Sequence, residues 1–110
     1  MKKLIAALAL TSACASWRPS HYAAEGAFVA VTLLDWSQTR GITHDCIESN
    51  PIIGKCGERA PLAFYFPVTL ALHWAVSALL PARARGWWQG VSLGVESEVV
   101  VTNWMGGYQP

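Results

Sequence analysis

A polar connection between two strongly apolar stretches constrains this chain more than any other feature. From Asp35 to Gly54 it reads Asp-Trp-Ser-Gln-Thr-Arg-Gly-Ile-Thr-His-Asp-Cys-Ile-Glu-Ser-Asn-Pro-Ile-Ile-Gly, with Cys56 just beyond. Its central part, residues 42–61, has no strong periodicity, and a loop of that length in a compact domain is functional or pinned. Cys46 and Cys56 supply the pin: in an exported chain they meet an oxidising compartment, and two cysteines at this spacing match no common zinc pattern. The reading is a disulfide that leaves Cys14 as the odd cysteine. Within the ring, Asn50-Pro51 is a turn or helix-start signal, and Gly54 closes a single turn. Glu48 is expected to accept backbone N–H groups from that turn.

Three helices are expected around this loop. The first covers 22–39, where Glu25, Thr32, Asp35 and Thr39 fall on one polar stripe of a mostly apolar cylinder. That stripe is either a solvated face or a seam turned into a bundle. Gly41 suits the left-handed position just past the helix. The second runs from Leu62 to Leu80 between Pro61 and Pro81, without one Asp, Glu, Lys or Arg, and is long enough to be a borderline membrane span. Pro67 should kink it or delay its regular part. Tyr65, Thr69, His73 and Ser77 repeat every fourth residue along it. After a short basic link at Arg83 and Arg85, a third helix is expected over 85–103, although Val99-Val100-Val101-Thr102 also suits a strand from Glu98 to Trp104. Gln89, Ser92, Glu96 and Asn103 share one face of it, and Gly86, Gly90 and Gly94 make a smooth stripe on another. The fold class is therefore all-α, a compact three-helix arrangement with a disulfide-pinned loop between helices 1 and 2.

The N-terminus reads as an export signal: Lys2 and Lys3, a short apolar run from Leu4 to Leu10, then Thr11-Ser12-Ala13-Cys14, the pattern that precedes a lipid-modified cysteine. Residues 1–13 are assigned to a lipoprotein-type signal peptide, 14–21 to a tether and 22–110 to one helical domain. Ordinary cleavage after Ala15 is the other option. Apolar residues make up 53% of the chain and charged ones 14%, with six tryptophans, so the chain either packs tightly or meets lipid. A net charge of +1 without a basic cluster argues against a nucleic-acid partner. The location expected is the bacterial cell envelope, facing the periplasm from an N-terminal lipid anchor, with the inner leaflet of the outer membrane favoured. An inner-membrane protein with two spans is the alternative.

Asp35-x-x-Gln38-Thr39, then Glu48-x-Asn50-Pro51-x-x-Gly54, then an aromatic-rich helix carrying His73 resembles a family of small, uncharacterised bacterial and phage envelope proteins. The resemblance covers roughly residues 24–103. It implies a shared architecture and brings no activity with it.

Nucleophilic triad, Walker, Rossmann and HExxH motifs are absent. The reading favoured is a non-enzymatic envelope component that binds an unidentified envelope partner or itself, with no cofactor and no metal. The alternative is a small membrane-bound hydrolase or metal-binding protein in which Asp35, Glu48, His73 and Glu96 converge. A buried hydrogen-bonded network of Asp35, His73 and Glu96 would serve structure instead.

Overall fold

In the computed structural model, which describes residues 2–3 and 17–110, the described residues from 17 onward form three helices: α1 (Pro19–His44), α2 (Leu62–Leu79) and α3 (Ala82–Met105). The signal peptide and Cys14 lie outside the described residues. Contacts fix an up–down–up order. Gln89 of α3 meets His21 and Glu25 near the start of α1, and Asn103 meets Asp35 and Gln38 further along, so α1 and α3 run parallel. His73 meets Glu25 while Phe66 stacks on Trp36, so α2 runs against both. Arg18, Arg83 and Arg85 mark one end of the bundle, and the loop between α1 and α2 marks the other.

α1 and α3 are longer than their apolar patterns suggest, for reasons visible at their ends, while α2 matches the expected span to within one residue. α1 begins inside the expected tether, with Pro19 in the first turn and the Arg18 N–H donating to His21 Nδ1 at 3.1 Å. It does not stop before Gly41 but runs through it to His44. The left-handed residue that ends it is Cys46 (φ 57°), whose N–H donates to the Thr43 carbonyl, while the Ile47 N–H reaches back to Ile42. A disulfide between Cys46 and Cys56 holds this non-glycine cap in place. Gly41 serves packing instead: a Cβ there would come within 3.1 Å of the Tyr108 ring. α3 is helical through its β-branched run, and Gly107 (φ 95°) caps it in the same left-handed manner. α2 is assigned as one unbroken helix across Pro67.

Closing so short a loop restricts the unfolded chain, so reducing Cys46–Cys56 should lower stability by about 2.5–3 kcal/mol in denaturation midpoints taken with and without reductant. Tyr108 Oη donates to Asp45 Oδ2 at 2.7 Å, tying the C-terminus to the cap of α1. That bond depresses the Asp45 pKa and raises that of Tyr108. A depressed carboxyl stabilises the fold above its unfolded pKa, and that contribution fades as pH falls through the folded value. Acidification should therefore release the Tyr108 ring from Gly41. The effect is read as a tyrosine NMR shift that Tyr108→Phe abolishes.

The interior is polar and the exterior is apolar. Among the described residues the buried apolar side chains are Phe28, Ile42, Ile53, Phe66 and Ala78. The buried polar set is twice as large: His21, Glu25, Thr32, Gln38, Thr39, Thr43, His73, Ser77, Arg85 and Gln89. The polar stripes of the three helices thus face one another, and that of α1 is a seam rather than a solvated face. Outside, the exposed positions of α1 from Tyr22 to Leu34 carry no charge, and those of α2 carry no charge and no polar group besides the indole N–H of Trp74. On α3 the exposed residues between Arg83 and Glu98 are glycine, valine and tryptophan.

Candidate functional site

Two polar nodes occupy the interior, and they divide the residues that the sequence suggests for one site. The node under the loop lines a cavity of about 250 Å³ with Asp35, Thr39, Glu48, Asn50, Tyr65, Glu96 and Asn103. Both short motifs of the chain therefore meet here. Glu48 Oε1 accepts the Asn50 N–H at 2.8 Å, the structural role its position suggests. Asn50 Oδ1 accepts the Ile52 N–H at 2.9 Å, and its amide donates to Tyr65 Oη at 2.9 Å, anchoring the turn to α2. Pro51 offers its carbonyl to Arg59, and Gly54 (φ 83°) lets the chain turn back. Gln38, 1% exposed, donates to the Val100 carbonyl and accepts from Asn103. Thr39 donates to the Asp35 backbone at 2.7 Å and lies 3.1 Å from its carboxylate. Glu96 lines the same cavity from α3, beside Asp35.

His73 is not part of that node. Its Nδ1 lies 2.8 Å from Glu25 Oε1, near the arginine end, so the expected trio of Asp35, His73 and Glu96 does not form. Glu25 Oε2 also accepts from Gln89 at 3.0 Å and lies 3.0 Å from Ser77 Oγ, so one carboxylate joins all three helices. Phe28 stacks on the imidazole at 3.6 Å between ring centroids and Trp88 at 5.0 Å. Two near-parallel rings cannot share one face, so the imidazole is held between them. Glu25 is the residue that the sequence reading left out of its candidate set. Helix ends could have found it. Counting back equally from residue 39 and forward from residue 62 sets His73 opposite Phe28, one turn from Glu25 and two from Asp35.

Arg85, read from sequence as part of a linker, is 0% exposed. Its Nε donates to the Ser77 carbonyl at 2.6 Å and its Nη2 to the Leu80 carbonyl at 2.7 Å, closing the C-terminus of α2. Its guanidinium also stands 4.9 Å from the centre of the Trp17 ring.

The two nodes differ in what they leave over. Under the loop, the groups that pin the turn are spent on one another. At the other node, His73 Nε2 is buried without a partner, as are Gln89 Oε1 and Thr32 Oγ1. Among the described residues no three His, Cys, Asp or Glu side chains are placed to hold a metal ion. No protein-family model, curated protein or solved structure matches the chain, so its function is argued from this geometry.

Proposed function

We propose that the protein is a small component of the bacterial cell envelope that sits in the membrane on its three helices and works by binding or assembly rather than catalysis. The observation that carries this is the inverted polarity: a hydrogen-bonded polar interior inside an apolar exterior. Nineteen large apolar side chains are exposed, far more than a water-facing monomer of this size tolerates in contiguous patches. In lipid the same surface is matched to its solvent.

Lengths and aromatic placement support it. α2 is, among the described residues, the one helix long and apolar enough by itself to cross a membrane. α1 and α3 miss that criterion because their inward stripes are polar. Trp17, Trp74, Trp87 and Trp88 lie within about two turns of the arginine end. Trp36 and Trp104, with Tyr65 and Tyr108, lie toward the disulfide end. The uncharged outer band of α3 between Arg83 and Glu98 spans about 21 Å, less than the roughly 30 Å of hydrocarbon. Extension of those two long side chains and local thinning of the bilayer absorb the difference. Arg18, Arg83 and Arg85 favour a cytoplasmic position for their end, which leaves the disulfide on the oxidising side.

A lipidated Cys14 is the second reading, favoured by Thr11-Ser12-Ala13-Cys14. It would start α1 on the outer face and reverse that orientation. Intact mass of the protein from envelope preparations decides between them: an acylated chain beginning at Cys14 supports the anchor, and an unprocessed chain supports the orientation given above. Membrane integration itself is tested by alkaline carbonate extraction, with the protein expected to stay in the pellet. Release into the supernatant would overturn the proposal.

A further inference from the structure

Between α2 and α3 the bundle opens into a groove of about 440 Å³, within the range of small-molecule sites. Trp88 Nε1 donates to Ser77 Oγ and lies near the His73 carbonyl, which fixes the levels of these antiparallel helices along the groove. Trp88 and Val76 stand at the arginine end. Thr69 and Glu96 stand at the loop end, about 12 Å away along α3. Between them the sides are Leu72, Val91 and Val95, with Ser92 about midway. The groove is therefore apolar along most of its length and polar toward one end. Glu96 is its one acidic side chain, and it is half-buried. The same residue lines the cavity under the loop, together with Asp35 and Glu48. Among the described residues, no lysine or arginine lines either space. A carboxylate at the end of an apolar slot is costly unless a positive charge meets it.

We infer that this groove binds a single-chain alkylamine in its ammonium form, with the head at Glu96 and the chain lying toward Trp88. The apolar half of that ligand rests on the membrane reading, and its charge rests on the groove itself. An anionic head would face Glu96 with two further carboxyl groups behind it. An uncharged head would leave Glu96 without a counter-charge. Ser92 Oγ donates its proton to the Trp88 carbonyl at 2.6 Å, which leaves the oxygen as an acceptor for an ammonium N–H. The four aliphatic side chains Leu72, Val76, Val91 and Val95 take the chain, and the volume suits one chain rather than the two of a bilayer lipid. His73 contributes packing only, since its Nε2 is fully buried.

The probe is decylamine, titrated at neutral pH into the full chain in dodecyl maltoside micelles and followed by calorimetry. Decanol carries the same chain without charge, and decyl sulfate carries the opposite charge. Decylamine should give heat that saturates near one equivalent, and the other two should not saturate. Glu96→Gln keeps the size of the side chain and should weaken binding at least tenfold. Leu72→Phe, which fills the groove from α2, should do the same. Glu98→Gln removes an exposed carboxylate nearby and should leave binding unchanged. Thermal melts check the fold of each variant, and if Glu96→Gln melts early, Leu72→Phe and the comparison with decanol still decide. Equal binding by Glu96→Gln, or saturable binding of decanol or decyl sulfate at similar strength, would overturn the inference. So would displacement of decylamine by an equal concentration of phosphatidylethanolamine, which would give the site to a bilayer lipid. A protein that resists carbonate extraction yet gives no saturable heat refutes the groove alone. Release by carbonate refutes the membrane reading and leaves the charge comparison to decide the groove.

Discussion

Replacing Glu25 by alanine should lower stability by about 2–5 kcal/mol, the largest loss expected from any single position in α1. The carboxylate is the common acceptor for His73 on α2, Gln89 on α3 and Ser77 on α2. Side-chain hydrogen bonds inside membrane proteins average about 0.6 kcal/mol and reach about 1.7 kcal/mol, and three are lost together here. The upper end of the range applies if the buried donors find no substitute, since stranding a buried partner costs more than the bond itself contributes. His73→Ala should cost less, because Ser77 and Gln89 keep their acceptor. The double mutant should fall short of the sum of the two singles by at least 0.5 kcal/mol. Thermal melts of the three variants in one detergent measure this. Additive losses would mean that Glu25 and His73 do not act as a pair.

Arg85→Ala should cost about 3–5 kcal/mol. Two carbonyls at the C-terminus of α2 depend on this guanidinium, at 2.6 and 2.7 Å, and hydrogen bonds to charged groups contribute about 1.5–3 kcal/mol each. The stacking contact with Trp17 adds packing that alanine also loses. Arg85→Lys should recover less than half of the loss, because one ammonium cannot reproduce a fork aimed at two carbonyls five residues from it and eight. Arg83→Ala, at the exposed position two residues earlier, is the control and should change stability by less than about 0.5 kcal/mol.

Three helices, the Cys46–Cys56 disulfide, the Glu48–Asn50 turn and a polar stripe on each helix are all legible in the sequence. Each is a local pattern: periodicity, spacing or turn chemistry. Which polar residues meet was not readable, because a stripe names a face but not a level along it. The stripes alone therefore pair His73 with Asp35, although the antiparallel course of α2 sets it beside Phe28 and Glu25. Gly41 misled for a related reason. Glycine is the usual left-handed cap, but here Cys46 takes that conformation under a disulfide, and Gly41 instead admits Tyr108. Arg85 was hidden by its neighbour: Arg83 and Arg85 look alike in a linker, yet only the second lies on the inward face. The glycine stripe of α3 also resisted reading. A Cβ added at Gly86, Gly90 or Gly94 meets nothing within 4 Å, so the close approach it permits is not made within this chain.

The central claim is that the apolar exterior faces lipid. Spin labels introduced singly by Leu33→Cys, Leu72→Cys and Val95→Cys, with Cys14→Ser as background, sample the outer face of each helix in reconstituted bilayers. Arg40→Cys and Glu58→Cys sample the loop end. The account predicts that labels at positions 33, 72 and 95 collide with dissolved oxygen and not with a water-soluble nickel chelate, while those at 40 and 58 show the reverse. Nickel accessibility at all five positions would contradict it.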